Sequence, residues 1–188
     1  MSFLGLYRLS RRAWARGFST LAARSFSSFG SGSILEPPVR IRGERRIVIG
    51  SGVYIGGGSW LQALDGEGVA LEVGDGTNIS GGCVLSAAES IRIGRNVLMA
   101  RNVYVSDHNH AFADPTRPVL AQGITEPRPV EIGDGAWLGQ NVIVNPGVRI
   151  GRGAVVGANA VVLEDIPDRA VAVGVPARVV RILDAVTA

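Results

Sequence analysis

The chain has 188 residues, 46% of them hydrophobic, which suits one domain with a sizeable core and is short for two. No apolar run is long enough to span a bilayer, and the single cysteine, Cys83, excludes an intramolecular disulfide framework and fits a reducing compartment, so a cytoplasmic protein is expected. All 19 basic residues are Arg: residues 1–46 carry nine against Glu36 and Glu44, net +7, and the remainder ten against fourteen acids, net −4, so the basicity belongs to the leader and no nucleic-acid partner is expected.

Residues 3–26 contain no acid and predict an amphipathic helix. Phe3, Tyr7, Trp14, Phe18 and Leu21 share a stripe, with Arg8, Arg12 and Arg16 at four-residue spacing elsewhere. Three readings fit this leader: a helix laid across the first repeat to hide its open end, a peripheral membrane-surface helix whose Arg meet anionic headgroups, or a targeting presequence. Ser27 to Pro38 reads as a Ser/Gly/Pro linker, since Pro37-Pro38 stops a helix. The division expected is therefore 1–38, amphipathic leader and linker, and 39–188, a repeat body.

In that body, aliphatic residues recur every sixth position. Ile49, Ile55 and Leu61 hold one phase; Val73, Ile79 and Leu85 resume it after the Asp65–Gly68 turn; Ile93, Met99 and Val105 continue after an eight-residue step; and Ile132, Leu138, Val144, Ile150, Val156 and Val162 form the longest run. A second row, Ala136, Val142, Val148, Ala154, Ala160 and Ile166, keeps a fixed offset from the last run. Neither helix nor alternating strand has this period; a parallel β-helix of hexapeptide strands does, three hexads closing each triangular coil. After Pro167, Gly174 and Pro176 break the pattern, a short helix is expected over Ala177 to Leu183 in the C-terminal tail.

The repeat is interrupted at 107–129, a loop that holds four of the nine prolines. Both histidines, His108 and His110, lie at its mouth in Ser106-Asp107-His108-Asn109-His110. Long insertions in compact domains are usually functional, and histidine accepts a proton near neutral pH, which makes it the natural base for activating a hydroxyl. Two His two residues apart are also potential metal ligands, but a catalytic zinc normally takes three protein ligands and the chain has no third His. No metal is expected. Cys83 sits in a slot filled elsewhere by Ala136 or Val142 and reads as a small buried filler rather than a nucleophile.

Asp107-His108-Asn109-His110, the Pro-containing loop, Ile132-Gly133-Asp134-Gly135-Ala136-Trp137-Leu138-Gly139, Asn145-Pro146-Gly147-Val148 and Gly174-Val175-Pro176-Ala177-Arg178 resemble the hexapeptide-repeat sugar O-acetyltransferases of the maltose, galactoside and capsule or O-antigen type. The resemblance covers roughly residues 70–181 and implies an all-β fold, a left-handed parallel β-helix associated as homotrimers with sites between subunits. It implies transfer of an acetyl group from acetyl-CoA to a carbohydrate hydroxyl by direct attack. His108 would be the base, with His110 and Asp107 as the other candidate catalytic residues. Trp137, Gly139 and Ala158 would line the pantetheine arm, Gln140 would be a further cofactor-binding residue, and Arg178 and Arg181 would meet the phosphates. Leu163-Glu164 departs from the family's Thr-Lys and sets an acid where a phosphate-binding cation stands. The Asp-His-Asn-His form suggests the surface-polysaccharide branch, and an Arg-rich leader would suit a lipid-linked acceptor. A non-catalytic trimeric scaffold and a metal-dependent β-helix enzyme are the competing classes.

Overall fold

The computed structural model describes residues 2–184. A helix, α1 (Phe3–Ala22), with the Ser2 hydroxyl accepting from the Gly5 N–H at 3.1 Å, precedes a parallel β-helix. Three parallel sheets make its faces. Face A stacks Ser28–Phe29, Ile47–Ile49, Leu71–Val73, Ile91–Ile93, Val130–Ile132 and Arg149–Ile150. Face B stacks Ile34–Leu35, Tyr54–Ile55, Asn78–Ile79, Leu98–Met99, Trp137–Leu138, Val155–Val156 and Ala170–Val173. Face C stacks Arg40–Arg42, Trp60–Ala63, Val84–Ala87, Tyr104–Ser106, Ile143–Val144 and Val161–Val162. Six full coils result, and Ala170–Val173 carries face B into a seventh.

The six-residue period becomes three buried columns. Ile49, Val73, Ile93, Ile132 and Ile150 pair one above another on face A; Leu35, Ile55, Ile79, Met99, Leu138 and Val156 on face B; Leu61, Leu85, Val105, Val144 and Val162 on face C. Each of these side chains is at most 2% exposed. The second row of the repeat, with Val142, Val148, Ala154 and Ala160, fills the corners and is equally buried.

The stretch expected as a linker instead forms most of the first coil. Phe29, Leu35 and Ile41 pair with Ile49, Ile55 and Leu61, so the hexad phase already runs through Ser27–Pro38, where Ser, Gly and Pro are corner residues rather than spacers. The short terminal helix expected over Ala177 to Leu183 is a strand, Arg178–Ile182, antiparallel to Ala170–Val173. Val179, Val180 and Ile182 are β-branched and favour extended backbone, and the last edge of face B offers them a ladder.

At the other end, α1 covers the first coil. Ile34 and Glu36 donate to Val53 and Ile55 of the second coil, which leaves the Leu35 N–H on the open edge, and the buried Ser19 hydroxyl accepts it at 2.9 Å. Phe18 and Ala22 pack on the core beside Phe26. Glu36 receives Arg11 of the helix and the Tyr54 hydroxyl. Burial and that carboxylate push the Tyr54 phenol up to about 12.

Ser19→Ala removes the partner of a buried N–H, so a loss of about 1–3 kcal/mol in denaturant unfolding is expected, with faster proteolysis within α1. An unchanged midpoint would mean that the helix does not hold the edge.

Candidate active site

Insertions are gathered at one edge of the β-helix, the corner where face C turns into face A. Glu44–Arg46, Leu64–Ala70, Ala88–Ser90 and 107–129 leave the solenoid there, in four consecutive coils. The Arg46 guanidinium ties the first three of these turns together, donating to the carbonyls of Leu64, Glu67, Gly68 and Ala88.

The eight-residue step between Leu85 and Ile93 has its cause at this edge. Ala88, Glu89 and Ser90 turn their N–H groups onto the fully buried carboxylate of Asp107, each at 2.8 Å. The Asp107 Oδ1 also lies 2.7 Å from Nδ1 of His108. Because that oxygen already receives the Ala88 N–H, the imidazole proton is assigned to Nδ1, which leaves Nε2 as the acceptor. The residue is 9% exposed and its backbone is held by Ser106. An imidazole held in this way, with its proton on Nδ1, presents Nε2 in the form that can accept a proton.

The loop beyond it is a clipped arm. Arg128 donates to the Asp107 carbonyl, Thr125 to Asn109 and Ala111 to Gly123, and His110 bridges Ile124 through its backbone. The His110 side chain is exposed on this arm, and the Asp107 contact belongs to His108. Among the described residues no three His, Cys, Asp or Glu converge as a metal site. Cys83 is 1% exposed inside the core, and its burial pushes the thiol up, away from the nucleophilic thiolate.

The second group of expected residues lies at the corner between faces B and C. Trp137 points outward from face B, half-exposed between Leu98 and Val155, and Gly139, Gln140 and Ala158 follow at the corners of the fifth and sixth coils. Gly139 has no alternative, since a Cβ there would lie 2.6 Å from the Ala158 nitrogen. The corner is pinned by a ladder that the sequence reading did not single out. Asn102, Asn141 and Asn159 adopt φ near 60°, and their amides bond in series at 3.2 and 2.9 Å. Arg178 and Arg181 lie exposed on the terminal strand, and Arg178 pairs with Glu164 at 3.4 Å.

Residues 129–164 match the family described as bacterial transferase hexapeptide (six repeats). A protein named as a lipopolysaccharide biosynthesis O-acetyl transferase, WbbJ of Escherichia coli K12, is 37% identical over 154 residues, covering 79% of this chain and 78% of its own. The chain belongs to the hexapeptide-repeat transferase family. Among solved structures, a hexapeptide-repeat acetyltransferase of Vibrio cholerae complexed with acetyl-CoA superimposes with TM-score 0.65 at 28% identity, over 88% of this chain and 76% of that one. A galactoside acetyltransferase in complex with coenzyme A gives 0.65 at 29%, over 88% and 70%.

In this hexapeptide transferase the two residue groups do not meet within one chain. His108 lies at one end of face C and Gln140 and Ala158 at the other, separated by about five extended residues, roughly 16 Å.

Asp107→Asn sets an amide NH2 against backbone N–H donors whichever way it is turned. Stability should fall by about 1–3 kcal/mol. In acetyl transfer kcat should fall about 100-fold or more, with KM for acetyl-CoA nearly constant. A large rise in KM with unaltered kcat would mean that the hold of Asp107 on His108 does not matter to turnover.

Proposed function

We propose that this enzyme moves an acetyl group from acetyl-CoA to a hydroxyl of a carbohydrate, with His108 as general base. The observation that carries the reading is the Asp107–His108 pair, whose Nδ1 contact commits Nε2 to proton acceptance. Nε2 takes the hydroxyl proton as the oxygen attacks the thioester carbonyl carbon; the C–S bond then breaks and coenzyme A leaves as its thiol after receiving that proton. A sugar hydroxyl is a poor nucleophile, so removing its proton during attack is worth about 100- to 10,000-fold.

The acceptor is a surface polysaccharide or its lipid-linked precursor, made on the cytoplasmic side. The relative named for lipopolysaccharide biosynthesis supports this over most of the chain. Trp137, Gly139, Gln140 and Ala158 form the wall for the pantetheine arm, and Arg178 and Arg181 face the phosphates. Glu164 works against them by pairing with Arg178.

The working unit is a homotrimer that closes each cleft. Outward columns support it: Leu98, Trp137 and Val155 on face B and Tyr104, Ile143 and Val161 on face C are apolar. Face A instead alternates Glu72, Arg92, Glu131 and Arg149, a solvated ladder. Faces B and C are thus the ones to bury between subunits, and this joins the base of one chain to the donor wall of the next.

Calorimetric titration with acetyl-CoA should show one site per chain. His108→Ala should leave that binding and the trimer intact while cutting turnover by about 100-fold or more. Undiminished turnover would move the base elsewhere, and no acetyl-CoA binding would favour a non-catalytic scaffold. Glu164→Lys should tighten coenzyme A binding about two- to fivefold, an effect that shrinks as salt is raised.

A further inference from the structure

We propose that α1 is an interfacial helix that seats the first coil of the β-helix on an anionic lipid bilayer. The helix meets the body through Ala15, Phe18, Ser19 and Ala22, with Ala15 and Ser19 buried, while Phe3, Leu6, Trp14 and Leu21 are 80, 56, 65 and 79% exposed. Phe3, Trp14 and Leu21, with Tyr7, recur at four- and seven-residue steps, so they form one outward stripe. A helix made only to cap the coil would bury its largest apolar side chains. This one leaves most of them in water.

Charge decides what covers the stripe. The helix carries Arg8, Arg11, Arg12 and Arg16 and no acid, and Arg24, Arg42 and Arg45 are exposed at the same end of the molecule. Packing two such helices together would oppose four guanidinium groups with four more, of which, among the described residues, only Arg11 has a carboxylate partner. Anionic headgroups supply the missing countercharge, while Trp14 and Tyr7 suit the boundary between headgroups and acyl chains. No described helix is long and apolar enough to cross a membrane, so α1 lies in the surface plane. His108 ends the fourth coil, three coil spacings or about 14 Å along the stack from the first. Seating by α1 would therefore hold the reactive edge within reach of a glycan anchored in that bilayer. The lipid contact itself does not depend on the reaction proposed above.

The test is co-sedimentation of the full protein with vesicles of phosphatidylcholine alone and with about one third phosphatidylglycerol. Wild type should bind the anionic vesicles at least about tenfold more tightly than the neutral ones, and should be released by raised salt. Leu6→Glu with Trp14→Glu, at exposed positions, should weaken binding about tenfold or more with thermal unfolding unchanged. Equal binding to both vesicles, no binding to either, or full binding by the double variant would overturn the proposal. A wild-type oligomer that loses mass in the double variant, with no lipid dependence, would assign the stripe to a second copy of the chain. The comparison between the two vesicles uses wild type alone, so it decides the proposal even if the variant misfolds.

Discussion

Everything in this molecule depends on register between coils. Each hexad places one aliphatic side chain directly over another, as with Ile93 between Val73 and Ile132, and the backbone of every coil donates to the next. A coil cannot slip by one residue without turning its inward column to solvent. Extra residues are therefore admitted only where the chain turns. Of the three corners, one accepts them, and it does so in four successive coils.

That restriction is what makes a precise site from irregular segments. The Ala88–Ser90 turn is too short to have structure of its own, yet its N–H groups converge because the coils below and above fix both its ends. Asp107 is the first residue of the next excursion and falls directly into that cluster. A buried carboxylate costs several kcal/mol unless its oxygens are met by donors, and here three backbone N–H groups and an imidazole meet them. The His108 imidazole is thus oriented by the stacking of turns, with Arg46 fastening the turn carbonyls on the outer side.

The solenoid was legible in the sequence because its signal is periodic and local. Columns from Ile49 to Val162 lie where the six-residue count puts them, and the eight-residue step after Leu85 was visible as an irregularity. Its purpose was not, since Ala88, Glu89 and Ser90 act through backbone N–H groups that no side chain advertises. The first coil escaped notice because Phe29, Leu35 and Ile41 keep the phase among Ser, Gly and Pro that otherwise mark a linker. The terminal strand was misread because Ala177 to Leu183 is too short for period to discriminate, and pairing with Ala170–Val173 decides its form. The Asn102–Asn141–Asn159 ladder was present as Asn at recurring corner positions, but only the left-handed backbone there gives those residues their meaning.

The two ends of the stack meet different demands. The last coil is closed by its own chain, through a hairpin whose strand carries Arg178 and Arg181 outward. The first is closed by a helix that sets the Ser19 hydroxyl, Ala15, Phe18 and Ala22 against it while leaving Phe3, Trp14 and Leu21 outside. Between these ends, face A meets water with a charged ladder, whereas faces B and C meet it with apolar side chains such as Leu98, Trp137 and Tyr104. A chain that fills its core in this way still leaves parts of two faces and one helix stripe apolar and exposed. The same two faces separate His108 from Trp137 and Ala158, so the contact that would bury them is also the contact that would bring a base to a donor.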